Sequence, residues 1–168
     1  MKKLISLFAA AILLVTINYG QNLTDAQKAS IVSEVQAASK KFWIDNNRSY
    51  NGESLKESMA YIDENNDRLW QTGPATISLN TTLVKSRADW ENIWGQIIDS
   101  RSSTNITIPE DYFAVISDAC VLEVNKGEFT ITEKGGNTIG PMTMVNTILW
   151  IKRDGKWKIL HCHESYEQ

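Results

Sequence analysis

The 168-residue chain is short of several residue types, and each shortage excludes a class of protein. Two cysteines, Cys120 and Cys162, are too few for a disulfide-built scaffold or a four-thiolate zinc site. Only three prolines interrupt the chain, and no repeat, linker or low-complexity tract appears. Basic residues are not in excess: 17 Lys and Arg stand against 20 Asp and Glu, a net charge of −3. The electrostatic footprint of a nucleic-acid binder is therefore missing. Histidine occurs twice, at His161 and His163. What the chain does have is core material, 42% hydrophobic residues with six Trp, five Tyr and four Phe. That is enough for one folded domain with a packed interior or an aromatic-lined pocket, and it excludes disorder as the main state.

Lys2 and Lys3 precede an apolar run from Leu4 to Ile17, broken only by Ser6 and Thr16. A charged start and a short hydrophobic stretch have the form of a secretory signal, and the run falls short of the roughly 20 residues a bilayer-spanning helix needs. The expected division is a signal peptide over 1–20 and a single domain over 21–168, exported to the periplasm or beyond and free of the membrane after processing. Losing Lys2 and Lys3 leaves 15 basic against 20 acidic residues, a net charge of −5.

The first half of the domain has helical periodicity. Thr24-x-x-Gln27 forms a capping box, and Ile31, Val35, Ala38 and Phe42 follow on one face, with Asn46-Asn47 and Asn51-Gly52 marking the end. Ser54-x-x-Glu57 predicts a second, short helix with Leu55, Met59 and Ile62 inward, stopping at Asn65-Asn66. Residues 68–71 and 76–84 predict two strands about a Gly73-Pro74 turn. Ser86-x-x-Asp89 caps a third helix with the stripe Trp90, Ile93, Trp94, Ile97 and Ile98. From Tyr112 onward the period becomes two. Strands are expected over 112–117, 119–133 with an irregularity at Lys126-Gly127, 143–153 and 156–166, the last two joined by Asp154-Gly155, a favoured two-residue turn. Sequential pairing puts the 143–153 strand between the two cysteine-bearing strands, separating their Cα atoms by roughly 10 Å; two free thiols are expected. Helices first and an antiparallel sheet after them make an α+β domain.

The ending Trp150-Ile-Lys-Arg-Asp154-Gly-Lys-Trp157-Lys-Ile-Leu-His161-Cys-His163-Glu-Ser165 resembles the last hairpin of SnoaL-like proteins in the nuclear transport factor 2-like superfamily. It is similar in particular to the association domain of calcium/calmodulin-dependent kinase II. The resemblance implies a cone-shaped α+β fold, three N-terminal helices packed on a strongly curved antiparallel sheet, with a cavity between them and frequent dimerisation. It leaves activity open, since the family includes isomerases, hydrolases and non-catalytic modules. Two departures bear on the site: Ile148 and Glu164 stand where kinase-type members carry arginines.

By strict alternation Trp157, Ile159, His161 and His163 share one face of the final strand, with Asn146, Ile148, Trp150 and Lys152 beside them. Either face is apolar enough to turn inward, and the resemblance favours this one. His161 and His163 are then candidate acid–base or ligand-orienting groups, with Asn146 as a hydrogen-bond partner. Trp43, Tyr61, Trp70, Asn146, Trp150 and Trp157 are candidate ligand-binding walls, while Trp90 and Trp94 are explained by their helical stripe. No metal site and no cofactor are expected. The expectation is a small organic ligand in a largely apolar cavity, with acid–base isomerisation or hydrolysis at a cavity His, or a non-catalytic interaction module, as alternatives. A homodimer is expected through Val145, Leu149, Ile151 and Leu160 on the opposite sheet face.

Overall fold

The computed structural model describes residues 23–64, 71–74, 81–84 and 86–167. The expected signal peptide, Trp70, the Asn65-Asn66 stop and most of the two short strand predictions lie outside those residues. Three helices occur among the described residues: α1 (Asp25–Tyr50), α2 (Lys56–Met59) and α3 (Arg87–Ser100). They accompany β1 (Gln71–Pro74), β2 (Thr81–Val84), β3 (Arg101–Ser117), β4 (Cys120–Glu133), β5 (Thr138–Arg153) and β6 (Lys156–Glu167). The sheet order is β2-β1-β6-β5-β4-β3, with four long antiparallel strands and β1 parallel to β6.

The capping box of α1 forms as expected. Gln27 N donates to Thr24 Oγ1 at 3.2 Å and Thr24 N donates to Gln27 Oε1 at 2.8 Å, pairing orphan N–H groups at the helix start. Ile31, Val35, Phe42 and Trp43 bury its inner face. The helix does not stop at Asn46-Asn47 but runs to Tyr50, with Asn51 as its C-cap and Gly52 at φ 94°. The reason is that these asparagines serve the sheet. Asn47 Oδ1 accepts from Ile106 N at 3.2 Å; Asn51 Oδ1 accepts from Thr104 N at 2.9 Å, and its Nδ2 donates to Thr104 O at 2.7 Å. Side-chain amides thus act as a partial strand along the open edge of β3, covering backbone groups that would otherwise invite another chain.

The second helix is only Lys56–Met59 and has no side-chain cap of its own. Ser54 Oγ instead accepts from Lys56 N at 3.2 Å, the local bond of a turn, so the expected box is not formed. Ser86 does cap α3, accepting from Asp89 N at 3.1 Å, and Trp90, Trp94 and Ile97 are buried as its stripe predicts. Gly73-Pro74 is not a turn: both residues belong to β1, and Pro74 ends that strand opposite Thr81. A strand end is a place where a missing N–H costs little.

β3 starts eleven residues earlier than period-two reasoning placed it, because its first half alternates polar Thr and Asn with isoleucine rather than forming an apolar run. The irregularity expected at Gly127 lies in the partner strand. Residues 108 and 109 of β3 stand opposite the single residue Gly127, one extra residue in β3, and a Cβ on Gly127 would come within 2.7 Å of Thr107 O. Only glycine lets the backbones approach so closely. The last hairpin is as expected: Asp154 and Gly155, at φ 49° and 74°, close Arg153 on Lys156. The strand of Cys162 is separated from that of Cys120 by β5, and both thiols are free.

Candidate ligand site

β6 carries the largest departure from strict alternation. Trp150 pairs with Ile159, but the next pair up the ladder is Leu149 with His161, so the register shifts by one residue at Leu160, a bulge. Upstream of it Trp157 and Ile159 face the core; downstream the inward residues are Cys162, Glu164 and, half-buried, Tyr166. The bulge lies where β6 changes its other neighbour. Ile159 bonds the 61–63 segment, through Ile159 N to Tyr61 O at 2.7 Å and Asp63 N to Ile159 O at 3.1 Å, whereas Cys162 and His163 pair with β1.

The expectation that His161 and His163 line the interior is therefore corrected. One inserted residue turns both onto the convex face, where His161 sits opposite Leu149 and His163 opposite Thr147. His163 is exposed and shares a 3.1 Å hydrogen bond with Ser165 Oγ. The same insertion brings Cys162 and Glu164, expected outside, to the concave side. It also puts Glu164, not His163, opposite Asn146.

The concave face carries a polar row that hydropathy did not reveal. Asp111, Asn125, Asn146 and Glu164 are direct cross-strand neighbours through β3, β4, β5 and β6. Next to them Glu123 is fully buried, at 0% exposure. Its Oε1 accepts from Ser39 Oγ of α1 at 2.8 Å and from Asn125 Nδ2 at 2.6 Å; its Oε2 accepts from Trp150 Nε1 at 2.6 Å. Asn146 Nδ2 donates to Asn125 Oδ1 at 2.8 Å, and Asn146 Oδ1 is buried without a donor. Burial raises the Glu123 carboxyl above its ordinary range and Asp111's charge adds to this, while the three donated hydrogen bonds oppose it. Further along, Tyr166 Oη donates to Glu164 Oε2 at 2.9 Å. Burial, then the nearby Glu164 carboxylate, hold the Tyr50 and Tyr166 phenols and the Cys162 thiol well above their usual ranges.

A cleft of about 650 Å³ opens between α1 and β3, and Ser39 joins it to this network. Its walls are the α1 face Ser33, Gln36, Lys40, Trp43, Ile44 and Asn47, and Ile106, Ile108 and Asp111 of β3. Trp43 is 9% exposed, and its Nε1 is buried without an acceptor. Gln36 Nε2 donates to Asp111 at 3.1 and 3.3 Å, closing one end, and the Asn47–Ile106 bond closes the other.

Of the anticipated walls among the described residues, only Trp43 borders this cleft. Trp150 and Asn146 belong to the buried network behind it. Tyr61 is half-buried, edge-on to Phe42 with ring centroids 5.7 Å apart. Trp157 donates to Glu34 Oε2 at 3.1 Å, beside the Lys152–Glu34 ion pair. Glu123, Asn125 and Ser39 were not anticipated. The available signal was Glu123-x-Asn125 in the same period-two register as Val121 and Phe129, on a strand whose apolar residues point inward.

A SnoaL-like domain model matches residues 55–167. No curated protein matches the sequence as a relative. Solved structures share the fold at low identity. One is hexachlorocyclohexane dehydrochlorinase LinA-type3 from Novosphingobium barchaimii LL02, 12% identical over 86% of this chain and 92% of that one, TM-score 0.63. Another is a nuclear transport factor 2-like superfamily protein from Salmonella enterica, 12% identical over 84% and 94%, TM-score 0.65. The association domain of C. elegans calcium/calmodulin-dependent kinase II is 12% identical over 84% and 99%, TM-score 0.60.

Proposed function

Because the chain belongs to the SnoaL-like family, we propose that it is an exported protein that holds a small organic molecule in the cleft between α1 and β3. The observation that carries this reading is the cleft: about 650 Å³, within the usual range of small-molecule sites, with isoleucines on one wall and polar groups on the other. A buried indole N–H without an acceptor at its wall is an unmet hydrogen bond that a ligand can satisfy after a small shift of the ring. Export rests on Lys2, Lys3 and the apolar run 4–17.

Native mass spectrometry of protein isolated from the producing cell tests both parts. The expected spectrum shows a chain lacking about its first 20 residues, as signal cleavage requires, and an adduct of a few hundred daltons. Ala37→Trp fills the cleft from an exposed position on α1 and abolishes the adduct. An apo mass for the wild-type protein, or an adduct that survives Ala37→Trp, removes the cleft from consideration.

A second reading, acid–base catalysis, is favoured by one observation. Ser39 lies between the cleft and a buried carboxyl whose proton affinity is raised, an arrangement suited to moving a proton from a bound molecule inward. In that reading Glu123 takes the role first given to the histidines. One solved relative is a dehydrochlorinase and another an association domain, so the fold accommodates both a catalyst and an assembly module. Pairing of two copies through the convex face is part of the proposal. Val145, at 40% exposure, Tyr112, at 65%, and half-buried Leu149, Ile151 and Leu160 supply an apolar surface there.

A further inference from the structure

The polar groups of the cleft are not equivalent, and their commitments decide what kind of molecule fits. Gln36, Lys40, Trp43 and Asn47 follow one another along a single face of α1, spaced four, three and four residues apart, so they form a line about 16 Å long. At the Gln36 end the cleft is acidic: Asp111 is there, held by the Gln36 amide. Toward the other end the available functions are donors. Asn47 has spent its carbonyl oxygen on Ile106 N and presents its N–H₂. Trp43 has a buried N–H without an acceptor, which a bound molecule meets after a small shift of the ring. Lys40 makes no ion pair among the described residues. On the opposite wall Ile108 lies between the ends and Ile106 beside Asn47, and Ile44 is the adjacent apolar residue of the helix.

We infer that the cleft takes a monocarboxylate with an apolar body. Its carboxylate lies toward Lys40, Trp43 and Asn47, and its hydrocarbon lies along Ile106, Ile108 and Ile44. A carboxylate is an acceptor-only group with room for several donors, which is what this end lacks. A neutral alcohol of the same length gains the apolar contact but not the ammonium. A dicarboxylate of that length carries its second charge toward Asp111 and is repelled. This assignment rests on the cleft being the ligand site and adds the chemical class of ligand.

Octanoate, octan-1-ol and octanedioate are the probes, titrated into ¹⁵N-labelled protein while the Trp43 indole resonance, assigned with Trp43→Phe, is followed. Octanoate is expected to shift that resonance and to bind at least about tenfold more tightly than the other two, the equivalent of one charge-assisted hydrogen bond. Lys40→Gln should cost octanoate about tenfold and leave octan-1-ol unchanged, a split that a merely structural lysine does not produce. Equal binding of octanoate and octan-1-ol, insensitive to Lys40→Gln, overturns the carboxylate class while leaving the cleft as a ligand site. If none of the three moves the Trp43 resonance, the class is again overturned, and the adduct measurement with Ala37→Trp decides the cleft separately.

Discussion

The two faces of the long antiparallel sheet each carry exceptions to the usual division of polar and apolar residues: a few polar groups inside an otherwise apolar core, and apolar side chains left outside. On the concave side Glu123, Asn125 and Asn146 are fully buried among Val121, Ile148 and Trp150. On the convex side Tyr112 and Val145 are exposed and Leu149 and Ile151 half-buried, with the two histidines among them. Burying an amide or carboxyl costs free energy unless every partner is supplied, and the concave groups are paired almost throughout. The buried polar row is tied to one helix through Ser39, which is what the proposed site rests on, and the apolar side chains outside are what the proposed pairing rests on. Hydropathy alone therefore does not reveal the buried Glu123, Asn125 and Asn146.

Replacing Glu123 breaks this contrast most severely. Glu123→Ala leaves three buried donors, from Ser39, Asn125 and Trp150, without an acceptor. The expected loss is about 3 kcal/mol or more in urea unfolding. The pH dependence sharpens the point. The Glu123 carboxyl is raised above 4.5 in the folded chain, chiefly by burial, so the folded state binds its proton more tightly than the unfolded state. Its contribution to stability is complete below pH 4.5 and is lost as pH rises through the folded value. Glu123→Gln removes this slope, and an unchanged unfolding profile from pH 4 to 8 contradicts the assignment of a raised carboxyl.

Intermediate in size is the effect on the convex face. Val145→Lys should shift the sedimentation coefficient from dimer to monomer while changing the unfolding free energy of the monomer by less than about 0.5 kcal/mol. A wild-type protein that sediments as a monomer removes the need for the pairing. The smallest expected change is His163→Ala, within about 0.5 kcal/mol in stability and without effect on adduct retention, because this ring is on the exposed side.

Much of the architecture was legible from local rules. The capping box at Thr24, the N-cap at Ser86, the α3 tryptophan stripe and the Asp154-Gly155 turn are determined by residues within a few positions of one another. β5 was legible too: with the hairpin register known, Asn146, Ile148 and Trp150 had to share a face. β6 was not, because its bulge at Leu160 reflects a change of neighbour from the 61–63 segment to β1, a contact about 90 residues away in sequence. That single residue decided whether His163 or Glu164 faced Asn146. The cleft was hidden for a related reason. Gln36, Lys40, Trp43 and Asn47 have an evident helical spacing, but their role depends on β3, whose first half lacks the apolar alternation that identifies a strand.

Locating the bound molecule tests the central claim most directly. Diffraction from crystals of the protein isolated with its adduct should show density between α1 and β3, against Trp43 and within reach of Lys40 and Asn47. Density on the convex face beside His161 and His163, with the α1–β3 cleft filled only by water, would contradict the account.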